Sequence, residues 1–577
     1  MKRTYHWWLL SLLLLPGMLV PIWLGPYAPL YDYAGHLLEA QVVTYYNDPQ
    51  YGYADSYDIR PGWYWQSNAL STLLLIGLGY ALPMTLAGQL VLSLYVVLFV
   101  GGLALLLRST SNHWPLLLLA PVLAYNFAFT SGWLNFSYGA ALALYALVVY
   151  LRWQQQNRTY LLLLLGILLV LIYVAHILVW LLSLVTIAAL MAPEPWQWRR
   201  HGALLLALSG VVPLLAIARP ALAVAAAAIA PAIWCSATII HRLNLAPRAL
   251  HWVAFGSLLV VAGIVALLNT ILEPFYRAIL PNIRHYWVYK ATFPLRTFTL
   301  PHQFMPPNAL LIAFNFLVLV LMFALAALAF WSTKNAEDQN RSRWLAAIYL
   351  LCIVYLVIPS GTPDILVTEP RVLLFLAFAA IAAARLTSWR TAVGRVYVVC
   401  AVSLYMGSIG VTAGYTRTYA AQTASWQAQM KVLLPARKVL VIRQPTNLEY
   451  PTPFLSEAFN SFYNGGYFVA TYAIEHGGLI SNIWNNGPVR PKQRYPIPWY
   501  RSGFDVIQYL AETCPSLRES YDAAIIWGKS SRELTQQLDA CFGHRVELPN
   551  MIIWKKQGPV GRGEASPGNG VIISNSW

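Results

Sequence analysis

Residues 31–60 read YDYAGHLLEAQVVTYYNDPQYGYADSYDIR. The stretch follows the first apolar segment and holds Asp32, Asp48, Asp55 and Asp58, with His36 and Glu39, among many tyrosines. The whole chain has only 22 acidic residues in 577. Acidic side chains are costly beside a bilayer and tend to mark function there. If the start of this stretch is helical, Asp32, His36 and Glu39 fall at i, i+4 and i+7 and share one narrow face. Ala34, Leu38 and Val42 then lie on another. That pattern predicts a surface helix with its polar side toward a cavity or toward solvent. A carboxylate so placed can take a proton from an acceptor hydroxyl.

Outward from this stretch the chain is mostly apolar. It is 58% hydrophobic and 10% charged, with mean hydropathy +0.54. Soluble globular proteins carry about 25% charged residues. Apolar runs of about 20 residues recur, matching the hydrocarbon thickness of a bilayer. The sequence therefore predicts a polytopic α-helical membrane protein in the plasma (cytoplasmic) membrane, surrounded by membrane lipid. The net charge of +16 fits Lys and Arg gathered in cytoplasmic loops. No basic stripe interleaved with aromatics points to nucleic acid.

The N-terminal run after Lys2 and Arg3 reads as an uncleaved first helix, Tyr5 to about Leu24. Pro61–Leu82 is expected to lie on or dip into the outer surface. Full spans are expected at Met84–Leu107, Trp114–Phe129, Phe136–Leu151, Tyr160–Val174, Ile177–Met191, Ala203–Ala218, Leu222–Ile240, Trp252–Leu272, Ala309–Trp331, Leu345–Ile358, Val372–Ala384 and Val396–Ala413. That is about thirteen spans in all. With the N-terminus inside, the basic connections alternate as the positive-inside rule requires. They hold Arg108, Arg152 and Arg158, Arg199 and Arg200, Arg242 and Arg248, Lys334 with Arg341 and Arg343, and Arg385 with Arg390 and Arg395. Arg219 departs from the pattern. The first loop, 25–83, then faces outward, as does everything after Gly414.

Residues 1–414 thus read as a transmembrane domain, 415–557 as a small extracytoplasmic α/β domain, and 558–577 as a flexible Gly/Ser/Pro-rich tail. In the α/β part, KVLVIR and AAIIWG read as strands and FDVIQYLAETC as a helix. SRELTQQLDAC reads as a helix with a Ser cap, and HRVELPNMIIWKK as two short strands. The five cysteines lack metal-site spacing. Cys235, Cys352 and Cys400 lie in apolar segments. Cys514 and Cys541 are either two thiols or, outside the cytoplasm, a disulfide.

The pieces YDYAGHLLEA after the first span, SGWLNFSYGAALALYAL, the paired short spans around YVAHILVW, and EPRVLLFLAFAA together resemble the GT-C superfamily. These are integral membrane glycosyltransferases that use lipid-phosphate-linked sugars. The resemblance covers roughly residues 1–414 and implies an inverting transfer from a lipid-linked sugar donor on the outer face, to an acceptor that is not specified. It implies an outer-loop Asp as base, matched in position by Asp32 with His36 and Glu39 beside it, and basic residues on the donor phosphate. Asp32 is followed by Tyr33 and not by a second acid. Asp55 or Asp58 therefore stays open as the base, and so does any need for a divalent cation. Arg371, which opens a span after Glu369 and Pro370, is the first candidate for the phosphate. Arg284, His285, Lys290 and Arg296 of the long loop are donor-pocket or interface residues. His176, at the tip between two short apolar halves, is either a hydrogen-bonded core residue or a cavity-facing group. Trp133 and Asn135 are candidates for a sugar subsite. Competing readings are a transporter or flippase of a lipid-linked glycan, and a non-catalytic scaffold with an outer binding domain.

Overall fold

The computed structural model of the chain describes residues 5–30, 32–110, 114–191, 317–318, 320–321, 324, 339–357, 361–362, 365–366, 369–384, 392–434, 436, 438–442, 468–480, 488–492, 506–527, 530–548 and 551–556. The chain divides into two compact units. One comprises Met1–Thr44, Ile59–Thr423 and Asn486–Pro488. The other comprises Tyr45–Asp58, Ala424–Asn485 and Val489–Trp577. The acidic stretch is therefore shared out. Asp32, His36 and Glu39 belong to the first unit, and Asp48, Asp55 and Asp58 to the second.

The first unit is helical. It begins with α1 (Tyr5–Trp23) and α2 (Tyr33–Thr44). The chain then passes through the second unit, where α3 (Tyr53–Ser56) lies and β1 (Tyr57–Ile59) begins, and returns to the first with α4 (Leu70–Gly79) and α5 (Met84–Thr110). Then follow α6 (Ala120–Ala124), α7 (Phe127–Thr130), α8 (Leu134–Gln156), α9 (Thr159–Ala175) and α10 (Ile177–Met191). Further on lie α11 (Gln339–Val357), the two-residue strands β2 (Gly361–Thr362) and β3 (Ile365–Leu366), α12 (Glu369–Ala383) and α13 (Ala392–Met430).

Among the described residues, three helices are long and apolar enough to cross a membrane: α5, α8 and the helix spanning Gly394–Leu433. Expected segments 203–218, 222–240 and 252–272, and most of 309–331, lie outside the described residues. Helix α9 is 17 residues long, about 26 Å at the α-helical rise. It buries Leu161, Leu165, Leu169 and Ile172 and exposes Leu163, Leu164, Ile167, Val170 and Leu171. An exposed stripe of branched aliphatics along a helix that is apolar all round is the pattern of a lipid-facing surface.

Three sequence expectations are corrected. The predicted span 114–129 is broken into a 3₁₀ segment (Trp114–Leu119), α6 and α7. The cause is Asn126, whose side-chain oxygen accepts from the Ala128 and Phe129 amides at 2.8 and 3.2 Å and caps α7. The predicted span 396–413 and the amphipathic segment after it form one helix of 39 residues, α13. Most importantly, α2 is not a surface helix. Every described residue from Asp32 to Val42 except Gly35 is buried, because α2 packs against both α4 and α5.

The second unit is built on a five-stranded sheet. Its elements are β4 (Lys438–Ile442), α14 (Phe468–His476), β5 (Leu479–Ile480), β6 (Val489–Pro491), α15 (Val506–Ser520), β7 (Ala523–Trp527), α16 (Arg532–Phe542), β8 (Gly543–Leu548) and β9 (Met551–Lys556). The strand order is β5-β4-β7-β9-β8. Strand β4 runs parallel to β5 and to β7, and β9 closes antiparallel on β7 and β8. Val439, Leu440, Ile526, Ile553 and Trp554 fill its core. Helix α16 starts at Ser531, whose hydroxyl accepts the Leu534 amide at 3.2 Å. A disulfide, Cys514–Cys541, ties α15 to α16. The tyrosine-rich half of the acidic stretch is part of this unit. Tyr53 donates to the Ala473 carbonyl at 2.7 Å, and the Gly478 amide donates to the Tyr51 carbonyl at 2.8 Å.

Candidate functional site

The site of the first unit is organised by the turn between α7 and α8, residues 131–133. The Asp32 amide donates to the Ser131 carbonyl at 3.1 Å. The Asp32 carbonyl accepts from the His36 amide at 3.1 Å, so Asp32 takes the N-cap position of α2. A negative side chain is favoured at that end of a helix. Gly132 has φ +76, and a Cβ there would stand 2.5 Å from the Asp32 nitrogen and 2.9 Å from that of Tyr33. Only glycine accommodates both the left-handed backbone and this approach. The next residue, Trp133, lies under the Arg371 guanidinium at 4.2 Å, and Phe136 is 5.6 Å from the same group. Arg371 is the third residue of α12 and is 6% exposed. A cation buried against aromatic faces keeps part of its stabilisation from the rings.

His176 joins this cluster from the break between α9 and α10. Its ring stands edge-on to Phe136 at 5.6 Å. Its Nδ1 accepts the Leu178 amide at 3.1 Å, which leaves Nε2 to carry the proton of the neutral ring. Burial, and then the nearby Arg371 charge, hold its pKa well below the ordinary histidine value. His176 is thus a neutral donor beside a permanent cation. Asn135 has a structural part. Its side chain donates to the Asn68 carbonyl and accepts from the Ser71 amide, both at 2.7 Å, and so fastens α4 to α8.

Glu39 and His36 sit further along α2, with His36 Nδ1 3.8 Å from a Glu39 oxygen. The other Glu39 oxygen is buried without a hydrogen-bond partner. Burial raises the Glu39 pKa, while His36 and Arg60 act in the opposite sense. Burial likewise raises the Tyr33 phenol, so it stays neutral.

The structure therefore brings Asp32, His176 and Arg371 to one turn, with His36 and Glu39 on the same helix as Asp32. Asp58 lies in the second unit and pairs with Arg490 at 3.8 Å, both half-exposed. Asp48 accepts the Gln50 amide in a local turn. Arg284, His285, Lys290 and Arg296 lie outside the described residues. Gly132 and Phe136 were not foreseen as site residues. The polar break TSGW between two apolar runs marks the turn, but a positive φ and its neighbour are not written in it. Among the described residues, no three His, Cys, Asp or Glu side chains gather as a metal-binding group.

No protein-family model matches the chain, and no curated protein matches it.

Proposed function

We propose that this chain is a membrane-embedded glycosyltransferase that moves a sugar from a polyprenyl-phosphate-linked donor to an acceptor hydroxyl. The observation that carries the proposal is the turn 131–133, which touches the Asp32 backbone on one side and the buried Arg371 through Trp133 on the other. In the proposed step, the Asp32 carboxylate takes the proton from the acceptor hydroxyl. The acceptor oxygen bonds to the anomeric carbon, and the carbon–oxygen bond to the phosphate breaks with its electron pair going to the phosphate. Attack from the face opposite the leaving phosphate inverts the anomeric configuration. Arg371 balances the charge that gathers on the leaving phosphate, and the neutral His176 adds a hydrogen bond without adding charge.

The proposal includes the finer topology: about thirteen spans, the N-terminus inside, and the second unit outside the cytoplasm. The alternation of basic connections supports it. The Cys514–Cys541 disulfide supports the last point, since such bonds persist in oxidising compartments. The lipid-facing stripe of α9 supports burial in the bilayer.

The test is transfer of labelled sugar from a polyprenyl-phosphate-linked donor in proteoliposomes. Asp32→Asn is expected to abolish transfer while the protein still folds in detergent. Full transfer by that variant removes Asp32 from the role. Scrambling of the donor without transfer, in the native protein, would replace the enzyme by a flippase.

A further inference from the structure

The loop between β1 and α4 carries three successive aromatics, Trp63, Tyr64 and Trp65, in one 3₁₀ turn. Two left-handed residues bound it, Gly62 at φ +68 and Asn68 at φ +72, a conformation that Gly and Asn adopt more readily than other residues. The Trp65 amide donates to the Gly62 carbonyl at 3.2 Å and the Gln66 amide to the Trp63 carbonyl at 3.0 Å. The first ring turns inward and the other two outward: Trp63 is 9% exposed, Tyr64 46% and Trp65 74%. Tyr64 stands edge-on to Trp63 at 6.1 Å and tilted against Trp65 at 5.6 Å. A short, hydrogen-bonded turn thus displays two adjacent large rings.

Hydrogen bonds fix the level of this turn against α9 and α10. The Ser67 hydroxyl accepts the Ile177 amide at 2.8 Å. The Ala69 amide donates to the Val174 carbonyl at 3.0 Å, and the Asn68 carbonyl accepts from the Asn135 side chain at 2.7 Å. The loop is therefore fastened to both sides of the break at His176, at the end of α9. Trp65 lies just before Ser67, within about 7 Å of chain.

That level decides what meets the rings. The 17 residues of α9 span about 26 Å, close to the hydrocarbon core of a bilayer at about 30 Å. Its exposed aliphatic stripe, Leu163 to Leu171, runs between Tyr160, exposed at the start of the helix, and this loop at its end. Tyr and Trp at both ends of an apolar stripe of this length match the two interfacial belts of a membrane. Gln66 and Asn68 are exposed beside the rings. Their amides would be costly in hydrocarbon, and the bare rings are costly in water. The head-group layer suits both, since it wets the polar end of a Trp or Tyr and shelters the ring. A sugar platform would instead need free polar groups converging beside the rings, whereas the Trp65 and Gln66 amides and the Ser67 hydroxyl are already engaged within the protein.

We propose that Tyr64, Trp65, Gln66 and Asn68 form a docking surface for the lipid head-group layer, and that through Ser67 and Ala69 this surface sets the depth of the His176 break in the membrane. It goes beyond sugar transfer and holds for any chemistry at that break.

The full-length protein in nanodiscs is photolabelled with two lipids. One is a phosphatidylethanolamine carrying a diazirine on its head group, the other a phosphatidylcholine carrying one at the end of an acyl chain. A soluble oligosaccharide with a diazirine is the third probe, and labelled residues are mapped by mass spectrometry. Residues 63–68 and Tyr160 are expected to take head-group label in severalfold excess over acyl-end label, with the reverse at Ile167. Tyr64→Ser combined with Trp65→Ser is expected to lower head-group label on 63–68 severalfold and to leave Tyr160 unchanged, while Trp65→Tyr keeps the label. Trp65→Ser alone carries the comparison if the double variant does not fold. Acyl-end label on Trp65 equal to or above head-group label, label there from the oligosaccharide alone, or head-group label indifferent to loss of the rings would each overturn the proposal. Labelling requires no turnover. Head-group label at Trp65 without sugar transfer sinks the transferase and keeps the docking surface, whereas transfer without that label sinks the docking surface alone.

Discussion

Replacing Gly132 by alanine tests the geometry of the site most directly. The left-handed conformation, φ +76, costs an L-residue about 1–2 kcal/mol. The new Cβ would stand 2.5 Å from the Asp32 nitrogen and 3.0 Å from its Cα. These are backbone atoms at the start of a buried helix, and they cannot swing aside as a side-chain tip would. Overpacking of this kind adds about 1–3 kcal/mol. The expected destabilisation is therefore about 2–5 kcal/mol, read by thermal unfolding in detergent. Relief of the clash must move Asp32 or the turn by about 0.5–1 Å, and a shift of about 1 Å at a reacting group costs about a hundredfold in rate. Transfer should fall by that order even where the variant folds. Gly166→Ala is the control. It sits inside α9 with no atom within 4 Å of the added Cβ, and should be neutral or stabilising by up to about 1 kcal/mol. A Gly132→Ala protein as stable and as active as the native one would refute the proposed contact between this turn and Asp32.

Arg371→Lys keeps the charge but gives up the planar stack on Trp133 and the two-pronged grip on phosphate that the proposed transfer assigns to this residue. A loss of about 1–2 kcal/mol, read as roughly a tenfold drop in transfer, is expected; an equally active lysine variant would argue against the stack. Glu39 has a raised folded pKa, so the folded state holds its proton more tightly than the unfolded chain. Its contribution to stability is then fullest below the unfolded value and is lost as pH rises through the folded one. Glu39→Gln should match the native protein in acid and become progressively more stable than it toward neutral pH, by melting scans across that range; parallel curves would count against the raised pKa. Replacing Cys514 and Cys541 by serine opens a loop whose ends are 27 residues apart, worth about 3.5 kcal/mol on the chain-entropy model. A reductant should lower the melting of the native protein toward that of the double variant, and no response to reductant would show that the bond does not form.

Much of the helical layout could be read from the chain, because apolar runs and their basic punctuation are local. The boundaries of α1, α5, α9 and α10 follow directly from them. The α/β sheet was legible for a similar reason: alternation and short apolar runs set β4, β7, β8 and β9, and a serine set the start of α16. The break at Asn126 was not legible, since a single capping side chain overrides a run that is apolar by composition.

The acidic stretch shows the division most clearly. Its sequence determined that charge is concentrated in one connection after the first helix, and that Asp32, His36 and Glu39 follow one another at helical spacing. Only the tertiary structure decided that this helix is buried between α4 and α5, and that the stretch is shared between two units, with Asp58 paired to Arg490. It also set Asp32 on a glycine turn whose tryptophan carries Arg371, some 340 residues further along the chain. Spacing along a chain fixes which side chains share a helix face. Which face is buried, and what it meets, depends on partners far away in sequence that no local pattern specifies.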